Sequence, residues 1–332
     1  MPATTSPKQT SKRPIVRGDL MPVKIIVVGA GHVGATTAYA LLLSGLAAEI
    51  VLIDIDKKKA EGEVMDLNHA VPLSHQTRIR LGDYPDCSEA AIIIFTAGHN
   101  QKPGQTRMDL ARVNADIVRQ TVPQLVKYAP DTIVLMAANP VDVLTYVAYK
   151  VSSLPRSQVI GSGTVLDTAR LRYALGKKLG IDPANIHADI IGEHGDTELP
   201  VWSHSNISGV GLAEYCLQAG SYVDLAQLRE DCFDETRRAA YNIIKMKGVT
   251  DYGIASGLVQ IVEAILRDEN TLLTVSTVGS YGGVDDVALS IPMKVNRSGA
   301  HPALKLLLSE EEDRELAQSA NTLKTSIQSL SA

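Results

Sequence analysis

His194 stands in the run Ile190-Ile191-Gly192-Glu193-His194-Gly195-Asp196, between glycines that argue for a turn presenting its imidazole. A histidine so placed can give and take a proton near neutral pH. Asp167 and Arg170, in Asp167-Thr168-Ala169-Arg170, are three residues apart and would share one face of a helix. An arginine can hold a carboxylate through two parallel bonds. A third segment runs from Thr96 to Arg107, where Gly98, Pro103 and Gly104 suit a mobile loop that could carry Arg107 over a ligand. Together these groups fit hydride transfer to a 2-keto acid, which needs a held carboxylate, a polarised carbonyl and a proton for the developing alkoxide. Each piece also has a plainer reading. Asp167 and Arg170 alone are better read as an ordinary helical ion pair, His194 alone is equally a loop histidine, and the third segment alone is a surface turn.

A hydride donor needs its own site, and Gly29-Ala30-Gly31-His32-Val33-Gly34 supplies a G-x-G-x-x-G. The pattern is weak by itself, but here it closes an apolar strand and opens an apolar helix. Gly29 would permit the tight turn, Gly31 a close approach of backbone to a pyrophosphate, and Gly34 close packing of helix on strand. The helix N-terminus would offer N–H groups to the phosphates. Asp54 ends the next strand, 23 residues after Gly31, close to the roughly 20 expected of a ribose-binding acid. Its charge would repel the 2′-phosphate of NADP, so the pattern favours NAD. Lys57, Lys58 and Lys59 could offset that repulsion but read as a solvated helix start.

The elements that must position these groups follow from apolar periodicity. Buried strands are predicted at Val23–Val28, Glu49–Ile55, Ile79–Leu81, Ala91–Ala97, Thr132–Ala138 and Val159–Gly161. Helices are predicted at Thr36–Ser44, Lys57–His69, Arg107–Tyr128 and Val141–Ser152. Continuous apolar strands alternating with helices imply a parallel sheet covered on both faces, a Rossmann-type doubly wound α/β fold. From Leu166 the order becomes mixed. Helices are predicted at Leu166–Leu179, Asp224–Lys247, Gly253–Arg267 and Glu310–Ser329, and strands at Ala188–Ile191, Leu272–Thr277 and Val287–Val295. This part reads as an α+β domain. The expected organisation is an arm over 1–22, a dinucleotide-binding domain over 23–164 and a substrate and catalytic domain over 165–332.

Composition narrows the function classes. The 332 residues are 45% hydrophobic and 21% charged, with a formal net charge of −5. That is ordinary for a globular protein and carries no basic footprint for nucleic acid. No apolar run approaches the roughly 18 residues that span a bilayer. Three cysteines, Cys87, Cys216 and Cys232, form no Cys-x-x-Cys pair, which argues against a disulfide framework or a metal site and fits a reducing cytosol. The first 22 residues hold Pro2, Pro7, Pro14 and Pro22 with Lys8, Lys12, Arg13 and Arg17. They lack the apolar core of a secretory signal and read as a flexible arm, with a short transit peptide as the alternative.

Taken in order, several segments resemble the L-lactate dehydrogenase branch of the lactate/malate dehydrogenase family. They are Gly29–Gly34, Asp54, Gln101–Arg107, Asn139-Pro140-Val141-Asp142, Gly161-Ser162-Gly163-Thr164, Asp167–Arg172 and Ile191–Pro200. The resemblance runs from about Val23 to the C-terminus. It implies that His194 is the proton donor and acceptor, that Asp167 orients it, that Arg170 clamps the substrate carboxylate and that Arg107 polarises the carbonyl. Asn139 would bond near the reacting oxygen and the nicotinamide ribose, and Asp142 and Thr250 would belong to the substrate pocket. Val33, Lys59, Tyr84, Gly98, Gln120, Ala137 and Ser162 match further cofactor-contacting positions.

The resemblance also implies NAD as cofactor, pyruvate and L-lactate as substrates, a homotetramer and a cytoplasmic setting. Gln101 matches the family's discriminating position. A neutral residue there suits pyruvate, whereas malate dehydrogenases resembling this chain carry arginine to meet a second carboxylate. Lys102 is the neighbouring cation that could replace it, and the resemblance places it outward. Arg172 and His187 match positions that hold fructose 1,6-bisphosphate in many bacterial relatives, although a surface arginine and a satisfied histidine are the plainer reading. The alternatives are a malate dehydrogenase, or a dinucleotide-binding protein that has lost catalysis. The intact His194, Asp167, Arg170 and Arg107 count against the second.

Overall fold

The computed structural model describes residues 23–99, 107–218, 224–303 and 305–330. The predicted N-terminal arm, and positions 100–106 with Gln101 and Lys102, lie outside the described residues, as does the side chain of Arg107.

Six strands build a parallel sheet: β1 (Lys24–Val28), β2 (Glu49–Ile53), β3 (Arg78–Leu81), β4 (Ile92–Phe95), β5 (Ile133–Met136) and β6 (Val159–Gly161). Their spatial order is β3-β2-β1-β4-β5-β6. The chain therefore reverses direction across the sheet between β1 and β4. In open α/β sheets a ligand crevice opens at such a point, outside the carboxyl ends of the strands.

Side chains alternate between the two faces, as the pleat requires. Ile25, Val27, Ile92 and Ile94 face helices α1 (His32–Ser44), α2 (Lys57–Ala70) and α8 (Tyr252–Leu266). Ile26, Val28, Ile93 and Phe95 face α3 (Arg107–Val126) and α4 (Val141–Ser152). Both faces are buried, which is why these strands read as continuous apolar runs rather than alternating ones.

The second half of the chain does not stand off as a separate sheet. Strands β12 (Thr271–Tyr281) and β13 (Val284–Asn296) form a long antiparallel hairpin, and β12 joins β6 through Ser276 and Gly161. With the edge strand β14 (Gly299–Pro302) the result is one sheet of nine strands. Helix α5 (Val165–Leu179) packs with α6 (Leu212–Gln218), α7 (Leu225–Lys247) and the short strands β7 (Ile186–His187) and β10 (Asn206–Ile207) around a second core. Strand β10 also pairs with β11 (Val210–Gly211). Helix α9 (Glu310–Ser329) lies against β13 and covers a third core. Strand β8 (Ile190–Ile191) pairs with β9 (Leu199–Pro200) and closes the loop that carries His194.

The differences from the predicted elements have local causes. Helix α1 begins at His32, four residues before the predicted start, because Gly31 at the N-cap and Gly34 in the first turn mask helical propensity. The hairpin is longer at its outer end than predicted. There the polar Ser280, Asp285 and Asp286 interrupt the apolar pattern, while the backbone pairing resumes beyond a bulge at Asp286. Helix α6 and strand β14 are too short to carry a periodic signal. Among the described residues no helix is long and apolar enough to cross a membrane.

Candidate active site

Two loops meet at the carboxyl ends of β1 and β4. In the first, Gly29 turns with a φ of +99° and its N–H bonds the Ile53 carbonyl at 2.8 Å. Helix α1 then starts at His32, with Gly31 as its N-cap, no side-chain cap and no acidic residue in its first turn. Its leading N–H groups are thus left for an anion. A Cβ at Gly34 would stand 1.8 Å from the Gly29 carbonyl oxygen, so the close contact of helix and turn depends on glycine there. A Cβ at Gly31 would meet nothing within 4 Å. That room lies directly over the helix start. Asp54, at the end of β2, accepts the Ala30 N–H at 2.6 Å and the Asp56 N–H at 2.8 Å. A carboxylate thus stands against the glycine loop itself. An uncapped helix start, an open cradle and an adjacent acid fit a dinucleotide.

The second loop leaves β4 through Thr96, whose hydroxyl bonds the Val28 and Gly29 carbonyls at 3.0 Å each. Gly98 lies against the side chain of Asn114. Asn114 is buried on α3. It accepts the His99 N–H at 2.8 Å and donates to the Asn139 carbonyl at 2.8 Å. It therefore ties the end of β4 to the end of β5, where Asn139 is exposed. Sequence reading passed over Asn114. The available signal was one amide on the apolar face of α3 formed by Ala111, Ala115 and Val118.

The proton-transfer groups gather on α5 and the loop between β8 and β9. Asp167 projects from the first turn of α5 and is buried. Its Oδ2 lies 2.5 Å from His194 Nδ1, and its Oδ1 accepts from Arg170 Nη1 at 2.9 Å. Burial opposes ionisation of Asp167, but the His194 and Arg170 charges outweigh it and hold the carboxyl below its usual range. Reciprocally, the Asp167 charge raises His194 to about 9 against the opposing effect of burial. With Nδ1 on Asp167, the Nε2 side of the half-buried ring is the one that can meet a substrate.

The loop is fixed from three other elements. Gly192, with a φ of +89° that favours glycine, exchanges two backbone bonds with Ser290 of β13 at 2.8 and 3.0 Å. The Glu193 N–H donates to Ser319 of α9 at 2.8 Å. The His194 N–H donates to Asp142 Oδ2 of α4 at 2.7 Å. Asp142 is buried, its Oδ1 has no hydrogen-bond partner at proper geometry among the described residues, and the Ser276 hydroxyl lies nearby. Burial pushes its carboxyl up to about 6, against the pull of Ser276 and the His194 N–H. Thr164 and Thr168 bond the Ile190 backbone and so hold α5 to β8. Glu198, four residues after His194, is also buried and brings a carboxyl oxygen within 4.8 Å of both Asp167 and His194. It too was missed, although an acid directly before the apolar Leu199-Pro200-Val201 was the visible sign.

The other predicted positions are spread around this centre. Thr250 is half-buried immediately before α8, and Tyr84, Val33 and Ala137 are half-buried near the ends of the strands. Ser162 is buried, with its N–H on the Met136 carbonyl at 2.8 Å. Lys59 and Gln120 are exposed on α2 and α3. Arg172 turns away to the β7–β8 connection. It bonds the Ala188 carbonyl at 3.0 Å and Asp189 at 2.7 Å, beside the exposed His187.

Comparison with known proteins decides the family. Residues 23–161 match the lactate/malate dehydrogenase NAD binding domain, and residues 164–332 match the lactate/malate dehydrogenase alpha/beta C-terminal domain. The chain belongs to the lactate/malate dehydrogenase family. It is an NAD-dependent oxidoreductase with a Rossmann-type sheet. It is 55% identical over 308 residues to a probable L-lactate dehydrogenase of Schizosaccharomyces pombe, covering 93% of each chain. It is 49% identical to an L-lactate dehydrogenase of Moorella thermoacetica, covering 93% of this chain and 98% of that one. Among solved structures, a lactate dehydrogenase from a Medee basin deep-sea metagenome library superposes with a TM-score of 0.89 at 43% identity, over 94% of this chain and all of the other.

Two outcomes follow from this geometry. Gly34→Ala is expected to cost about 1–3 kcal/mol in urea unfolding, because Gly29 must move. Gly31→Ala should stay within about 0.5 kcal/mol of wild type. The same Gly31→Ala variant should bind NADH about tenfold more weakly, measured by fluorescence titration, because its methyl fills the cradle. Asp167→Asn should bring the His194 titration, followed by imidazole NMR, down by about one pH unit or more, because the charge that raises it is gone. A His194 titration unchanged in that variant would contradict the assignment of Asp167 as its cause.

Proposed function

We propose that this protein is an L-lactate dehydrogenase that reduces pyruvate to L-lactate reversibly. The observation that carries the reading is the single buried carboxylate of Asp167 gripping His194 at 2.5 Å and Arg170 at 2.9 Å. Bound NADH supplies the hydride. His194 gives its proton to the oxygen of the substrate as charge develops there, and takes it back in the reverse direction. Asp167 fixes the ring and favours its imidazolium form. Arg170 uses Nη1 on Asp167, which leaves further donors of its fork for the substrate carboxylate. Arg107 polarises the keto oxygen, Asn139 bonds beside it, and Asp142 and Thr250 complete the pocket. Gln101 keeps the far end of the substrate neutral. The names of the relatives, L-lactate dehydrogenases of a fungus and of bacteria, support pyruvate over oxaloacetate.

The same reading includes a cytoplasmic homotetramer and activation by fructose 1,6-bisphosphate at Arg172 and His187. Arg172 reaches the backbone next to His187, so a bisphosphate there would have to draw its guanidinium from Asp189.

Steady-state kcat/KM for pyruvate and for oxaloacetate, at fixed NADH, tests the substrate. Pyruvate should be preferred. Gln101→Arg should move the ratio toward oxaloacetate by about 10-fold or more, since a charge-assisted bond is worth about 1.5–3 kcal/mol. A ratio that moves less than about threefold would leave discrimination elsewhere in the loop. For the effector, millimolar fructose 1,6-bisphosphate should lower the KM for pyruvate, and Arg172→Gln should abolish the response. A saturation curve that ignores the bisphosphate in the wild type would reject regulation.

A further inference from the structure

Glu198 has no part in the proton transfer described above, yet its carboxyl group is built into the same site. The residue is 8% exposed. One of its oxygens shares a volume less than 4.8 Å across with ligand atoms of Asp167 and His194. The charged groups facing it are Asp167 and Arg170 from α5, His194 from its own loop and Arg237 from α7. Arg237 is partly engaged, since it also pairs with Asp234 at 3.3 Å.

Two carboxyl groups enclosed this closely are not both ionised at low cost. Asp167 holds direct bonds to two cations and remains the anion. Glu198 has neither bond. Burial, and then the Asp167 charge, push it up to about 8, against the pull of His194, Arg170 and Arg237. With Glu198 neutral, the directly bonded set of Arg170, protonated His194 and Asp167 carries one positive charge, which favours a monocarboxylate beside Arg170. Once Glu198 ionises, the four groups sum to zero, and an entering carboxylate leaves the enclosure with an unbalanced negative charge.

We propose that Glu198 is a proton-gated positioning residue of the substrate site, which must be neutral for a monocarboxylate substrate to bind at Arg170. The substrate class rests on the functional reading above, while the gate itself concerns anion binding and can be read without turnover. In this scheme the site loses two protons on the alkaline side, one from Glu198 and one from His194, and the two steps belong to the coupled pair. Glu198 acts on KM, and His194 acts on both KM and kcat.

The test compares wild type with Glu198→Gln, which keeps the shape of the side chain and cannot ionise. The KM for pyruvate at saturating NADH is measured from about pH 6 to about pH 10. In the wild type, log KM should climb with a limiting slope near two at the alkaline end, and in the variant near one. The two should agree within about twofold near pH 6.5, and the variant should bind about tenfold more tightly near pH 9.5. Superimposable profiles, or a KM raised equally at every pH in the variant, would overturn the proposal. Calorimetric titration of oxamate into the NADH complex gives the same comparison without catalysis. If the wild type fails to reduce pyruvate, the functional reading falls, while a pH-dependent difference in oxamate affinity still upholds the gate and its absence still defeats it. Should Glu198→Gln not fold, carbon NMR of the wild-type glutamate carboxyls decides the matter. A Glu198 titration in the ordinary glutamate range would overturn the proposal.

Discussion

A buried negative charge at Asp167 is the constraint around which the site is assembled. An isolated carboxylate in such a place is costly, and breaking a buried pair by removing one partner typically costs about 3–5 kcal/mol. Here each oxygen has its own cation, His194 on one side and Arg170 on the other. The arrangement has a pH signature with a definite sign. His194 is raised in the folded protein, so its contribution to stability is complete below the ordinary imidazole value and fades as pH climbs through about 9. Asp167 is lowered, so its contribution is present at neutral pH and fades as pH falls through the acid range. The pair therefore supports the fold across the neutral window in which the imidazolium is also available to donate a proton.

Holding that pair requires agreement between distant parts of the chain. Asp167 comes from a helix that directly follows β6, and His194 from a loop that leaves β8. Thr164 and Thr168 lock these elements together through the Ile190 backbone. The loop is then pinned by Asp142, Ser290 and Ser319, which belong to α4, β13 and α9. The long hairpin makes this possible, because β12 pairs with β6 and so brings the second half of the chain onto the first sheet. The cofactor side is organised separately, by the reversal of strand order between β1 and β4. Asn114 links β4 to β5 there and carries the frame toward Asn139.

The parts of this arrangement that were legible in the sequence are those with a local signature. Strands buried on both faces are unbroken apolar runs, and β6 and α4 fall where the pattern places them. The glycine turn and the acid ending β2 are also local, since each role is set by backbone a few residues away. The site residues were named through local motifs in the same way. What could not be read are the roles that depend on tertiary approach. Nothing next to Asn114 says that its amide joins two loops, and nothing next to Ser319 says that α9 anchors the histidine loop. Asp142 is a further case. Its motif marks it as part of the site, but only the fold shows it meeting the His194 backbone from behind. The joining of both halves in one sheet was equally hidden, since it rests on a single antiparallel contact between β6 and β12.

Four acids near one histidine would be an unfavourable concentration of charge if they were equivalent, and their different environments prevent that. Asp167 is ionised because two cations touch it. Asp142 is wholly enclosed, receives the His194 N–H on one oxygen with the Ser276 hydroxyl only nearby, and is raised to about 6, so it remains an anion at neutral pH only by a modest margin. Glu193 is turned aside to Thr197. Glu198 has the enclosure of Asp167 without its cations, and it is raised the furthest. Acids of similar intrinsic strength are thus separated by what each one touches: direct bonds to two cations hold Asp167 down, while burial without such bonds pushes Glu198 up. A substrate that brings its own negative charge enters this graded set at its most positive point, the guanidinium of Arg170, beside the one proton held ready for transfer.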